Sequence, residues 1–182
     1  GELPWLPTRG ASDLGVGSPI FVELPLPAGV STIGGYAFHG CSALVHLTLP
    51  DGLGTIGKGA LSGCAALVHV TLPGGLPTIQ DWAFSGCTSL VELTLPDGVT
   101  TIGEYALNGC SSLVHLTLPD GLDTIGKGAL SGCTALVHVA LPGGLTTIKA
   151  WAFSGCTSLV ELTLPDGLPR SEDHTSPLQS QL

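Results

Sequence analysis

The sequence predicts an α/β solenoid: a right-handed coil with one parallel β-strand and a short helical or 3₁₀ turn in each 23-residue repeat. Three observations predict it. The stretch SGCTSLVELTLPDG stands at 85–98 and returns unchanged at 154–167. Cysteine recurs every 23 residues, at Cys41, Cys64, Cys87, Cys110, Cys133 and Cys156. Within each repeat, apolar and polar residues alternate as in His46-Leu47-Thr48-Leu49, the period of a strand with one buried face. A single repeat cannot bury its own apolar residues, but stacked neighbours can.

The chain divides into an irregular N-terminal cap or extension over 1–22, a solenoid over 23–168 and a polar tail over 169–182. Six full coils begin at residues 23, 46, 69, 92, 115 and 138, and a partial seventh covers 161–168. A longer period lies on top, because coil 46–68 closely matches 115–137, and coil 69–91 matches 138–160. The unit of duplication is therefore three coils, and the repeated fourteen residues are one joint between coils seen a unit later.

Each coil reads in the same order. The strand comes first and is closed by a proline such as Pro50, which has no N–H for a ladder. Asp51-Gly52 and its equivalents turn the chain. Leu53 and Ile56 point back inward, and Gly57–Cys64 suits a short helical or 3₁₀ turn. Successive strands lie parallel about 4.8 Å apart, so seven rungs make a rod about 30 Å long. In the first 22 residues, Trp5, Leu6, Ile20 and Phe21 are placed to cover the first coil. The tail 169–182 has too few apolar residues to order alone and is expected to order against a partner.

The motif L-x-x-L-x-L-P-x-x-[LV]-x-x-I-G-x-x-A-F-x-x-C, as in Leu90 through Cys110, resembles the BspA-like leucine-rich repeats of the Treponema pallidum type over about 23–168. Leu61, Leu107 and Leu130 stand where that pattern has Phe, and Gln80 and Lys149 where it has Gly, with no expected threat to the fold. The resemblance implies a surface or secreted protein that binds other proteins or host matrix. It brings no catalytic residues with it.

Composition narrows the function. The chain has 182 residues, 14 Asp and Glu against 5 Lys and Arg, and a net charge of −9, which argues against nucleic acid as a partner. Apolar residues make up 43% but come in twos and threes, and nothing approaches the roughly 20-residue run of a membrane span. There is no methionine, which points to a processed or excised chain; a removed signal or transit peptide favours a secreted, cell-surface or organelle-lumen location over the cytosol.

Stacking turns each coil position into a row. The first outward strand row reads Glu23, His46, His69, Glu92, His115, His138, Glu161 and is the first candidate binding face. Histidine titrates near neutrality and ligates metals, so His69, Glu92 and His115 form the best cluster. The parallel side chains do not converge as zinc requires, and the plain account is a solvated face; no metal and no cofactor are expected. The next outward row, Pro25, Thr48, Thr71, Thr94, Thr117, Ala140, Thr163, is explained by the β-propensity of threonine rather than by ice binding. The Asp51, Asp97, Asp120 and Asp166 row is turn chemistry, with no calcium loop behind it. The cysteine row reads as reduced, buried thiols, because in-register cysteines have parallel Cβ vectors unsuited to a disulfide. The second candidate binding row, on the side away from the strands, is aromatic: Tyr36, Gly59, Trp82, Tyr105, Gly128, Trp151. Its rings either pack over the adjoining glycines or offer a platform to a protein or glycan.

These readings add up to a non-enzymatic protein-binding or structural scaffold, a soluble subunit or surface module that docks onto a larger assembly. An adhesin-like repeat binding matrix or glycan, and a self-assembling rod joined through exposed terminal strands, are the alternatives. An enzyme is not expected, because nearly every His, Cys and Asp belongs to a repeated row whereas catalytic sites are singular.

Overall fold

A computed structural model describes residues 23–163 of the chain. The cap assigned to 1–22 and the tail assigned to 169–182 lie outside the described residues, as does all of the partial seventh coil after its strand.

Thirteen short strands alternate along the described residues: β1 (Glu23–Pro25), β2 (Thr32–Ile33), β3 (His46–Thr48), β4 (Thr55–Ile56), β5 (His69–Thr71), β6 (Thr78–Ile79), β7 (Glu92–Thr94), β8 (Thr101–Ile102), β9 (His115–Thr117), β10 (Thr124–Ile125), β11 (His138–Ala140), β12 (Thr147–Ile148) and β13 (Glu161–Thr163). The odd-numbered strands pair in parallel as β1-β3-β5 and β7-β9-β11-β13, and the even-numbered as β2-β4 and β6-β8-β10-β12. Partners are equivalent residues one repeat apart, such as Leu47 with Val70 and Ile79 with Ile102. This is the parallel solenoid the sequence predicts, with two additions.

The first is the second strand in every coil. Thr-Ile at the far side of the Asp-Gly turn is too short to show a period, but in all pairs of successive coils except β4 with β6 it pairs in register with the Thr-Ile of the next coil.

The second is the absence of helix among the described residues, including Gly57–Cys64. The N–H groups of Ala60, Ser62 and Cys64 bond back three residues, to Gly57, Gly59 and Leu61. Those between them, on Gly59, Leu61 and Gly63, donate instead to the carbonyls of Asp81, Ala83 and Ser85 in the next coil, at 2.7–2.9 Å. A helix keeps its N–H groups for itself. Here every second one is exported, which makes the turn side a third ladder, unbroken through all six coils.

The interior is a stack of apolar rows. Leu67, Leu90, Leu113 and Leu136, with Ile56, Ile79, Ile102 and Ile125 opposite, are all at most 1% exposed, and alanines and cysteines fill the narrow turn side. Each coil closes its neighbours' interior, which is why the repeat count sets the size of the core.

Two ladders open near the middle of the rod. In four coils the residue before Thr-Ile donates to the preceding coil, as Gly54 N does to Ser31 O at 2.9 Å and Thr100 N to Pro77 O at 3.0 Å. Pro77 has no N–H to donate. Gln80 stands where Gly57, Gly103, Gly126 and Lys149 bond to the isoleucine one coil back, and among the described residues no such bond joins Gln80 to Ile56. As a result β4 and β6 do not pair; on the other face, one coil further on and at the boundary of the two three-coil units, β5 and β7 do not pair either. The fold survives the Gln80 replacement, as expected, but with an open joint. Pro77→Thr, the residue its sister coil has as Thr146, is expected to close it. Amide exchange at Thr78 and Gln80 should slow about fivefold, the worth of one hydrogen bond of about 1 kcal/mol; unchanged exchange would show that proline does not hold the joint open.

Candidate functional site

The strand face carries the first candidate row. In β3, β5, β7, β9 and β11 the central residue is buried and the residues on either side are exposed. His46, His69, Glu92, His115 and His138 are all exposed in line, with Thr48, Thr71, Thr94, Thr117 and Ala140 beside them. Register places Glu23 beside His46 at one end and Glu161 beside His138 at the other. The His46 and His69 rings stack at 6.1 Å, 7° from parallel. Across the joint where the backbone ladder is open, His69 Nδ1 lies 3.3 Å from Glu92 Oε1. The cluster of His69, Glu92 and His115 is therefore a line, not a cage. Among the described residues no three His, Cys, Asp or Glu side chains converge as metal ligands.

The turn side carries the second row, and its backbone was not foreseen. Tyr36, Trp82, Tyr105 and Trp151 have φ of 58°, 61°, 53° and 61°, and Gly59 and Gly128 have 60° and 58° in the same column. Left-handed backbone costs an L-residue about 1–2 kcal/mol and is an outlier for a bulky side chain. The alternation of glycine with aromatics in one column was the signal available in the sequence. The rings do cover the glycines, since a Cβ added to Gly59 would lie 2.4 Å from Tyr36 and one added to Gly128 2.4 Å from Tyr105. Trp82 is different: it stacks on Tyr105, centroids 4.6 Å apart. Trp151 ends the row with Lys127 Nζ 4.8 Å from its ring centre. In the other unit the equivalent lysine, Lys58, turns to Asp81 at 3.8 Å, which Ala150 replaces beside Trp151. Tyr36, Trp82 and Trp151 remain 47%, 37% and 51% exposed.

The cysteine row is interior. All six thiols are free, with Cys41 half-buried and the other five buried. Each buried thiol donates to a carbonyl 26 residues back, from Cys64 to Phe38 O at 3.1 Å through Cys156 to Leu130 O at 3.2 Å. Burial pushes the Cys87 thiol up to about 12 and raises those of Cys64 and Cys110 as well. A hydrogen bond with Cys156, then burial, pushes Cys133 up as well. An unfolded thiol ionises near 9.0, so the native state holds these protons more tightly and the stability they lend is complete below that pH. Stability measured by urea midpoint is expected to be flat to about pH 8.5 and to fall as pH rises from about 9 towards 12; a midpoint flat to pH 11 would contradict this. Such protonated, enclosed thiols are poor nucleophiles.

A sequence profile described as a BspA type leucine-rich repeat region matches in six copies, over 18–136 and 55–175. No curated protein sequence matches at a significant level. Among solved structures, a T. pallidum leucine-rich repeat protein is 36% identical with a TM-score of 0.77, covering 80% of this chain and 71% of its own. A leucine-rich cell surface protein from Faecalibacterium prausnitzii is 28% identical at a TM-score of 0.61, over 78% of this chain and 36% of its own. The pneumococcal vaccine antigen PcpA is 26% identical at 0.54, over 71% and 36%. The chain thus spans little more than a third of the length of the last two.

Proposed function

Starting from the premise that the chain belongs to the BspA-type leucine-rich repeat family, we propose that it is a non-catalytic, surface-displayed module that binds a protein through its strand face. Modules of this family are generally protein-binding or surface repeats, and no helix among the described residues is long and apolar enough to cross a membrane. The observation that carries the reading is the exposed line from His46 to His138. Five coils present titratable side chains in register, and side-chain contact between His69 and Glu92 continues the line where the backbone ladder stops. A flat strip of His, Glu and Thr offers donors and acceptors at every rung and has few long aliphatic side chains to immobilise, which keeps the entropic cost of binding low. The resemblance to a cell surface protein and to a vaccine antigen supports display outside the cell.

The test compares the intact chain with a triple variant, His69→Ala, Glu92→Ala and His115→Ala, as baits in cell or host-tissue extract. The expected result is a protein captured by the intact chain, lost by the triple variant and kept by a Trp82→Gly, Trp151→Gly variant. Equal capture by the triple variant would move the binding surface off the strand face.

A further inference from the structure

The strand-face reading leaves the aromatic row unused, and the backbone turn does not account for it. Gly59 and Gly128 hold the same left-handed turn without strain, so the fold has no need of a ring there. Tyr36, Trp82 and Trp151 nonetheless keep a large share of their surface in water. Their backbones belong to the one ladder that runs unbroken through the six coils, so the rings are rigidly spaced, one or two coil steps of about 5 Å apart. Strain held in place by a rigid surround, at an exposed position, marks a surface that does something.

We propose that this row binds a linear, uncharged polysaccharide lying along the solenoid axis. A stable protein interface covers about 800 Å² on each partner. Four rings of about 150–250 Å² each, already half covered, in a strip one side chain wide, fall well short of that. A sugar chain is itself one ring wide. Its C–H faces pack on aromatic rings, and its hydroxyls find the exposed Lys58 and Glu104 and the partly exposed Asp81 and Lys127, in the row adjoining the rings. A net charge of −9 disfavours an anionic polymer, and the two lysines and two carboxylates beside the rings offset one another, so nothing there selects a cationic one.

The test is native gel electrophoresis through gels containing hydroxyethyl cellulose, xylan, laminarin or galactomannan. The variant carries Tyr36→Gly, Trp82→Gly, Tyr105→Gly and Trp151→Gly, a residue the same position accepts in two native coils, and circular dichroism checks its fold. The expected result is retardation of the native chain by at least one polymer, with about tenfold weaker apparent affinity in the glycine variant and none lost in the His69→Ala, Glu92→Ala, His115→Ala variant. No retardation in any gel, or equal retardation of native and glycine variant, would overturn the proposal. Failure of strand-face capture with retardation intact would leave it standing.

Discussion

Phe84→Ala is expected to lower stability by about 3–5 kcal/mol, the range for emptying a large buried aromatic site. In a chain of this length that is a fall in Tm of roughly 6–20 °C. Phe84 is fully buried and is the largest such side chain among the described residues. It sits in the third of six coils, between Leu61 and Leu107 in the same row, so the cavity weakens the contacts to both neighbouring coils at once. The surroundings have little freedom to collapse into it. The Phe84 carbonyl accepts from Cys87 N at 3.1 Å and from Cys110 Sγ at 3.2 Å, and its N–H donates to Ala106 O at 2.8 Å. Phe153→Ala makes the same deletion in the last full coil. In a solenoid, stability is a sum of coil and nearest-neighbour terms, so this second variant is expected to fray coil 138–160 with a smaller shift of the main transition. Differential scanning calorimetry of the two variants checks the ordering. Equal shifts would mean that the six coils unfold as one unit with no weak end.

The same comparison shows how far sequence reaches in this fold. The 23-residue spacing, the inward Leu, Ile and Ala rows, the exposed line of His and Glu side chains and the buried thiols were all legible, because each depends on a residue repeated at a fixed spacing. Repetition averages out local ambiguity: one Leu-x-Leu means little, and six in register leave one reading. What escaped the sequence depends on backbone that repetition does not label. The Thr-Ile strands are two residues long, below the length at which alternation can be seen. The turn segment Gly57–Cys64 suits a helical turn as a sequence, but its N–H groups are shared between coils, a property of the stack rather than of the segment. The left-handed column was concealed by the aromatics themselves, since a bulky residue argues against positive φ unless Gly59 and Gly128 are read beside it. The open joint rests on one proline, Pro77, in a position its equivalents give to Ser, Gly, Thr and Asp. Of the candidate sites, the rows were legible and their contacts were not. The stack of Trp82 on Tyr105, and of His46 on His69, arises from ring orientation, which spacing does not determine.

Gly126→Ala is expected to cost about 1–3 kcal/mol, the range for forcing an extra carbon into a filled space, while Gly143→Ala is expected to be neutral or to stabilise by up to about 1 kcal/mol. Neither glycine has positive φ, so the usual conformational argument does not separate them; space does. A Cβ on Gly126 would stand 2.6 Å from the carbonyl carbon of Gly103 and 2.7 Å from its oxygen. These are backbone atoms of the preceding coil that cannot swing away. Making room means lifting the coil, which stretches the 2.7 Å bond from Gly126 N to Ile102 O. Side chains at the equivalent position go both ways. Gln80, close after Pro77, has no bond to Ile56, and the ladder between β4 and β6 is open. Lys149 keeps its bond to Ile125 O at 2.9 Å, and β12 stays paired with β10. The cost at Gly126 is therefore one of crowding against Gly103 rather than of a necessarily broken ladder. Around Gly143 nothing lies within 4 Å of the added carbon, so alanine there only narrows the unfolded ensemble. Urea midpoints for the two variants decide it. If Gly126→Ala were as stable as the native chain, the ladder of Thr-Ile strands would be compliant, and the joint at Pro77 would then need no explanation in terms of lost hydrogen bonds. If it is costly, the close approach of coils at this row sets the spacing of the whole rod, and with it the spacing of every row on the strand face and on the turn side.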